Sequence, residues 1–331
     1  MIISKTPFRV SFLGGGTDLP QYHSDRPGKV IGMAINKYCY ILFRNGNNIM
    51  DYNFRIAYSK IELTKKVDQI EHRSVKYSAK FFRHTKPFDI LHNGDLPAKS
   101  GLGSSSSFTV GMTNIFRKIN KLKISKKILA KNALEIEQKL SKESVGCQDQ
   151  VFAAYGGFNI INFKKDKYTV KNISNQNTKK IINSMFLVFT GLTREASKIE
   201  KYKIKNIKKK TSNLEKIYHR AVLGEKMLKS NTFQVKEFGK LMDESWQEKK
   251  KLTKNVSNKI VDKIYKIAKK EGAYGGKLLG AGGGGFICFL ANKKDHNKIF
   301  KKLKSYKIIK PGISEEGSKI IIDNNNKYLN Y

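Results

Sequence analysis

Four stretches of the sequence hold residue types that could bind and move a phosphate. LPAKSGLGSSSSFTVGMTNIF (96–116) runs a Gly-X-Gly turn into four serines, and an apolar helical pattern follows. The first four N–H groups of a helix lack intrahelical partners and carry the positive end of its dipole. Gly101 and Gly103 would let the backbone approach a phosphate closely, and small serines keep that approach open. Their hydroxyls suit phosphate oxygens or a magnesium ion. The closing Gly-Lys-Ser/Thr of a Walker A loop is absent. Taken alone, the stretch also fits a capped helix after a flexible turn.

ALEIEQKLSKESVGCQDQVFAAYGG (133–157) adds carboxylates. Glu135 has Lys131 and Lys139 at i±4, which reads as a solvated ion-pair face. Glu137 neighbours Ala133 and Leu140 at the rim of an apolar face, so it is the better candidate to point inward. Asp149 is expected in a turn just after that helix. Two inward carboxylates near a phosphate loop suit a metal ligand and a proton acceptor; each alone reads as a surface acid. In GGKLLGAGGGGFICFL (275–290), Gly280, Gly282 and Gly285 formally satisfy G-x-G-x-x-G. An apolar strand follows them instead of a helix, which excludes the dinucleotide fingerprint. The glycines then serve either a sharp bend between strands or close packing against a ligand loop. In TPFRVSFLGGGTDLP (6–20) a strand ends in three glycines, Thr17 and Asp18, which turn chemistry alone would also explain.

The elements that must position these residues are legible in outline. FRVSFL, KYCYILFR and FRIAYSKIEL are β-like, as are GGFNIINF, MFLVFTG, GGKLL, GFICFL and SKIIID. A helix is expected over Lys126–Leu140, with Leu129, Ala133, Ile136 and Leu140 on one face. Further helical stripes are Leu214, Ile217, Ala221 and Leu228; Phe238, Leu241 and Met242; and Ile260, Ile264 and Ile267. The lysine-rich 201–210 reads as a loop or an exposed helix start. KNISNQNTKK (171–180) is polar and uncommitted, and places a cut between an N-terminal lobe, 1–175, and a C-terminal lobe, 176–331. The class is α+β.

Composition sets the remaining bounds. The chain has 331 residues, 39% of them hydrophobic, which is ample for a sizeable core. No run of about 18 apolar residues exists, and the N-terminus lacks a signal-peptide pattern. Cys39, Cys147 and Cys288 make neither a metal spacing nor a disulfide framework. A cytoplasmic setting is the simplest expectation. The formal net charge of +38 invites a nucleic-acid reading. Nearly all the basic residues are lysine, alongside plentiful isoleucine and asparagine, which reads as compositional bias and a solvated surface.

Together and in this order, GGGTD, GLGSSSS, GCQDQ…AAYGG and GGKLLGAGGGGF resemble the GHMP kinase superfamily, in its sugar-kinase branch, from Thr6 to about Phe289. The resemblance implies a two-lobed fold: an N-terminal lobe of a type also found in ribosomal proteins, and a C-terminal α/β sandwich lobe. It implies ATP and magnesium. Gly101, Leu102, Gly103, Ser104, Ser105 and Ser106 would bind the ATP phosphates, and Ser105 with Glu137 the metal. Asp149 would be the base or would orient the acceptor hydroxyl. Arg9 would stand beside it and stabilise the transferring charge. Gly15, Gly16, Thr17 and Asp18 would meet the sugar, as would Gly282 and Gly283 of the glycine turn. Arg194 in TGLTREAS would be an anion ligand. Gly15 and Gly16 replace the Glu-His of galactokinases, which opens room and argues against galactose. Lys99 stands where relatives often carry a small residue.

The implied reaction moves the γ-phosphoryl of ATP to the anomeric hydroxyl of D-glycero-D-manno-heptose 7-phosphate. The product, a 1,7-bisphosphate, would serve nucleotide-heptose and surface-polysaccharide synthesis. The alternatives are a fucokinase-like or other hexose 1-kinase, and, from other classes, a nucleic-acid-binding protein or a sugar-binding regulator on a dead kinase. Retention of every phosphoryl-transfer motif argues against the last two. The expected partners are a small sugar phosphate and ATP, with no specific nucleic acid and no membrane; a homodimer is compatible with the sequence.

Overall fold

In the computed structural model, which describes residues 1–47, 49–165, 167–193 and 207–324, the β-rich N-terminus becomes two long strands. β1 (Ile2–Leu13) and β2 (Gly28–Asn45) pair antiparallel along most of their length, on either side of a one-turn helix, α1 (Pro20–His23). FRIAYSKIEL, one β-like run in the sequence, folds as two strands, β3 (Phe54–Ala57) and β4 (Ile61–Thr64). A turn closed by Tyr58 N–H donating to the Lys60 carbonyl, 2.9 Å, separates them. β2 is long enough to be shared. Its second half pairs β5 (Phe88–Gly94), and its first half pairs β6 (Phe158–Lys164), which in turn pairs β7 (Lys167–Asn172).

Helices α2 (Arg73–Phe81), α3 (Ser104–Ile119), α4 (Lys126–Leu134) and α5 (Gln148–Tyr155) belong to this lobe. α3 is buried without a break from Ser106 to Phe116, as befits a central helix. The helix expected over Lys126–Leu140 is an α-helix only to Leu134; Glu135–Leu140 is wound as a π-helix. The wider winding rotates every later position. Leu129, Ala133 and Ile136 stay buried, but Leu140 leaves the face and is 38% exposed. The uncommitted stretch 171–180 also differs from expectation, because α6 (Gln176–Ser184) begins inside it. Thr178 N–H donates to Asn175 Oδ1, 3.0 Å, and Asn175 N–H to Thr178 Oγ1, 3.1 Å. That is a capping box with threonine in the glutamate's place.

The second sheet is antiparallel in the order β11-β8-β10-β9, from β8 (Met185–Phe189), β9 (Ala273–Leu278), β10 (Phe286–Ala291) and β11 (Lys307–Ile309). Four helices accompany it: α7 (Thr211–Leu228), α8 (Val235–Lys250), α9 (Lys259–Lys270) and α10 (His296–Lys302). Leu214, Ile217, Ala221 and Leu228 are buried, as their spacing predicts. α9 is rotated from its expected stripe and buries Val261, Ile264, Tyr265 and Ala268, leaving Ile260 at the surface beside the Asn258 cap. Most of the lysine-rich 201–210 lies outside the described residues.

The chain then returns. β12 (Lys319–Asp323) pairs with β1, completing eight strands in the first sheet among the described residues. One apolar cluster runs from Phe8, Phe12 and Phe43 through Phe238 and Met242 to Phe286 and Leu290, so the two lobes share a core. No helix among the described residues is long and apolar enough to cross a membrane.

The turn between β9 and β10 lies against the loop that precedes α3. Gly285 has φ +103°, and a Cβ there would lie 2.2 Å from the Ser100 carbonyl oxygen. Gly191 has φ +77° with nothing within 4 Å of such a Cβ. Gly191→Ala should therefore cost only the left-handed backbone penalty, about 1–2 kcal/mol. Gly285→Ala adds overpacking and should cost about 2–4 kcal/mol. Urea unfolding of the two variants checks the difference; equal losses would mean that the close approach is immaterial.

Candidate functional site

Four segments meet in a cleft of about 470 Å³. β1 supplies Arg9 and Ser11, and the turn after it Gly15, Gly16 and Asp18. The loop before α3 supplies Lys99, Gly101, Gly103, Ser104, Ser105 and Ser106, and the start of α5 supplies Gln148 and Asp149. Lys249, Lys277, Gly280, Gly282 and Gly284 close the remaining side. A cavity of similar volume at edge strand β4, lined by Tyr52, Leu63 and Gln69, contains none of the motif residues.

Gly101 and Gly103 both have left-handed φ, +83° and +74°. Gly103 is the N-cap of α3, and no side chain caps that helix. Its first-turn N–H groups are thus directed at whatever occupies the cleft. The four serines divide the work. Ser104 and Ser105 line the cleft. Ser106 Oγ donates to Glu137 Oε2, 3.0 Å, and Ser107 Oγ donates to the Pro7 carbonyl, 2.8 Å. Leu102 is fully buried, and its carbonyl accepts the Arg9 backbone N–H at 3.0 Å.

Asp149 sits in the first turn of α5, where the sequence had placed it in a turn. The buried Arg9 grips it with a two-pronged fork: Nε donates to Oδ1 and Nη2 to Oδ2, both 2.8 Å. Nη1 donates to the Gly101 carbonyl, 2.5 Å. A carboxylate offers about four acceptor sites. The fork uses two and leaves Asp149 able to accept from a ligand on the cleft side, where its side chain is 25% exposed.

Glu137 points inward, as its neighbours predict, while Glu135 stays at the rim with Lys139 Nζ 3.9 Å away. The serine expected beside Glu137 was Ser105; the structure brings Ser106 there instead. One residue is a 100° turn of the helix, and the face of α3 toward Glu137 carries Ser106. Gln150 Nε2 donates to both Glu137 Oε2 and Ser106 Oγ. Glu137 Oε1 is buried with no hydrogen-bond partner among the described residues. Burial, and then the charge of Glu143, push the Glu137 carboxyl up to about 7. An orphaned carboxylate oxygen behind a hydroxyl on the cleft wall fits magnesium, which takes one or two carboxylates plus substrate phosphates. Among the described residues no group of three or more His, Cys, Asp or Glu could hold a metal alone.

Asp18 is buried at the cleft, with the Gly16 N–H donating to Oδ1 at 2.9 Å and the Gln148 side-chain amide to Oδ2 at 3.0 Å. Thr17 does not reach the cleft. Its hydroxyl donates to the Gly14 carbonyl, 2.8 Å, and accepts from Lys29 N–H, 3.0 Å. Gly283 is likewise structural: its N–H donates to the Val256 carbonyl and its own carbonyl accepts from Asn258. Gly282 lines the cleft, and Arg194 lies outside the described residues. Lys99 lines the cleft with a left-handed φ of 58°. Sequence reasoning missed Ser11, Arg73, Gln148, Gln150, Lys249 and Lys277. Lys277, a lone cation in the apolar GGKLL strand, carried a readable signal. Lys249 lies in the last turn of α8, and its ammonium donates to the Leu278 and Gly280 carbonyls at 3.1 and 2.6 Å and braces the glycine turn.

Residues 57–157 match the family model for the GHMP kinases N terminal domain, and 228–308 that for the GHMP kinases C terminal. The chain is 32% identical to the D-glycero-alpha-D-manno-heptose 7-phosphate kinase of Campylobacter jejuni, over 92% of this chain and 93% of that protein. It is 24% identical to a galactokinase of Thermotoga petrophila, over 92% and 93%. A solved D-glycero-D-manno-heptose 1-phosphate kinase from Bacteriodes thetaiotaomicron superposes with a TM-score of 0.77 at 25% identity, covering 98% of this chain and 99% of that one.

The raised Glu137 carboxyl has a thermodynamic consequence. The folded state keeps a proton that the unfolded chain releases from about pH 4.5, so this group's contribution to stability falls as pH rises to about 7, then levels off. Glu137→Gln removes the ionisation. The metal-free variant should be more stable than the native protein at pH 8, by up to about 3 kcal/mol, and near parity at pH 4.5. Glu135→Gln should change neither. Urea unfolding in chelator at both pH values is the measurement.

Proposed function

The chain belongs to the GHMP kinase family and is a sugar kinase with an alcohol acceptor; from that premise we propose that it phosphorylates the anomeric hydroxyl of a heptose phosphate. The observation that carries the chemistry is Asp149, presented to the cleft by the Arg9 fork beside the uncapped start of α3. The heptose assignment is supported by the 32% identical relative and by the open glycines at 15 and 16.

In this reading the nucleotide phosphates lie over the N–H groups of Ser104, Ser105 and Ser106. The sugar hydroxyls meet Asp18, which Gln148 holds in place. Asp149 accepts the proton of the anomeric hydroxyl, which is more acidic than an ordinary alcohol. The anomeric oxygen bonds to the γ-phosphorus, the bond from that phosphorus to the β-phosphate oxygen breaks, and the β-phosphate oxygen leaves on ADP with the electron pair. Arg9 keeps Asp149 aimed at the cleft, so the reactants are positioned and the developing charge is met by fixed groups. Glu137 and Ser106 would hold magnesium, which supplies charge neutralisation at the transferred phosphate when bound. Arg194 remains a proposed donor to the sugar's own phosphate.

Asp149→Asn should lower kcat by about 10²–10⁴-fold while calorimetry shows ATP still binding. A panel of sugars and sugar phosphates with ATP and magnesium, read by phosphorus NMR of the product, tests the substrate. Heptose 7-phosphate should exceed free heptose by at least about 10² in kcat/KM, the equivalent of two charge-assisted bonds. Equal use of free heptose or fucose would replace this reading with a hexose 1-kinase.

A further inference from the structure

Three polar side chains converge on a glycine in the cleft. A Cβ placed on Gly15 would lie 3.5 Å from Ser11 Oγ, 3.6 Å from Lys277 Nζ and 3.7 Å from Gln148 Nε2. All four residues line the cleft. They come from three separate elements: Ser11 from β1, Lys277 from β9 of the second sheet, and Gln148 from the start of α5. Ser11 is two residues from Arg9 and therefore on the same face of the strand, ~7 Å further along.

The group is built into the fold and is unlike the solvated lysines elsewhere. Ser11 and Lys277 are each 4% exposed. Ser11 Oγ is buried with no hydrogen-bond partner among the described residues, and Gln148 presents its amide nitrogen toward Gly15 while donating to Asp18 Oδ2 at 3.0 Å. Buried polar atoms are ordinarily satisfied, so an orphaned buried hydroxyl in such a group indicates a missing partner. An ammonium and a hydroxyl are donors, and their natural partner is an oxyanion. Gly15 leaves the space for it, since every neighbour of the added Cβ is the polar end of a side chain at ordinary contact distance.

We propose that Gly15, Ser11, Gln148 and Lys277 form the subsite for the anionic far end of the acceptor, a phosphomonoester carried on the sugar away from the reacting hydroxyl, with Lys277 as the cation that recognises it. The assignment rests on the sugar-phosphate reading above. Gln148 joins this subsite to Asp18, which it holds for the sugar's hydroxyls. The assignment also gives the glycines at 15 and 16 a purpose beyond turn geometry, because any side chain at 15 enters the space the phosphate needs.

The test measures kcat/KM for heptose 7-phosphate and for unphosphorylated heptose, with saturating ATP, in the native protein, Lys277→Met and Gly15→Ala. The KM for ATP is followed in parallel. The native protein should prefer the phosphorylated sugar by about 100-fold or more, and Lys277→Met should reduce that preference below about tenfold, through KM. Gly15 does not have a left-handed φ, so alanine is tolerated by the backbone. Gly15→Ala should raise KM for the phosphorylated sugar at least about fivefold and leave KM for ATP unchanged. A native protein with no preference overturns the sugar-phosphate reading and this subsite with it. A native preference that survives intact in Lys277→Met, or a Gly15→Ala variant with native KM for the phosphorylated sugar, overturns the subsite alone.

Discussion

A buried guanidinium fixes the relative position of the three segments on which the cleft depends. Arg9 spends three donors on two partners, Asp149 and the Gly101 carbonyl, and its backbone N–H holds the Leu102 carbonyl. Removing one partner of a buried pair leaves an uncompensated charge, at a cost of about 3–5 kcal/mol. The strand, the start of α5 and the loop before α3 are therefore locked to one another. The glycines of that loop serve this lock as much as any phosphate. A Cβ on Gly103 would lie 3.2 Å from Arg9 Cγ and 3.3 Å from Asp149 Oδ2. The Gly-X-Gly turn is what lets the loop pass over the Arg9–Asp149 pair at all.

The loop is held from its other side by the second sheet. The Phe286 N–H donates to the Ser100 carbonyl at 3.0 Å, and a Cβ on Gly280 would lie 2.7 Å from Gly101 Cα. Both readings left open for the glycine run thus hold together: it bends the chain between β9 and β10, and its backbone packs on the phosphate-loop backbone. Lys249 secures the bend through two carbonyls. The cleft needs both sheets, and the shared core and the return of β12 to β1 keep them joined. A chain cut near residue 175 would lose the wall that carries Lys249 and Lys277.

What was legible in the sequence follows from how local each feature is. Glycine turns, the serine-rich helix start and the inward face of Glu137 depend on neighbours within one helical turn, and they were readable. Phase across a contact was not. Ser105 and Ser106 differ by one position in the same motif, and only the location of Glu137 in space selects Ser106. The π-helix at Glu135–Leu140 is similar, because nothing in EIEQKL announces the extra winding that exposes Leu140. Gln148 and Gln150 escaped notice since an uncharged amide declares no chemistry until its partners, Asp18 and Glu137, are seen beside it. The Asn175 capping box escaped because threonine stands at the usual glutamate position.

The lysines were hidden by abundance. With 65 Lys and Arg against 27 Asp and Glu, a further lysine carries almost no information as a residue type. Distance and solvent restore the distinction. Exposed charges are screened beyond about 8–10 Å at ordinary ionic strength, so the surface excess can raise encounter rates with phosphorylated ligands but cannot select among them. Selection needs a cation held in place at low dielectric beside other donors of fixed direction. In the cleft, five cationic side chains, Arg9, Arg73, Lys99, Lys249 and Lys277, face three acids, Asp18, Glu143 and Asp149. Two of the five, Lys249 and Lys277, are lysines nine-tenths or more buried. One of these shapes the glycine turn that supports the phosphate loop, and the other stands at Gly15. What sets these two apart from the surface lysines is not their charge but the strand and helix interiors that fix where that charge is presented.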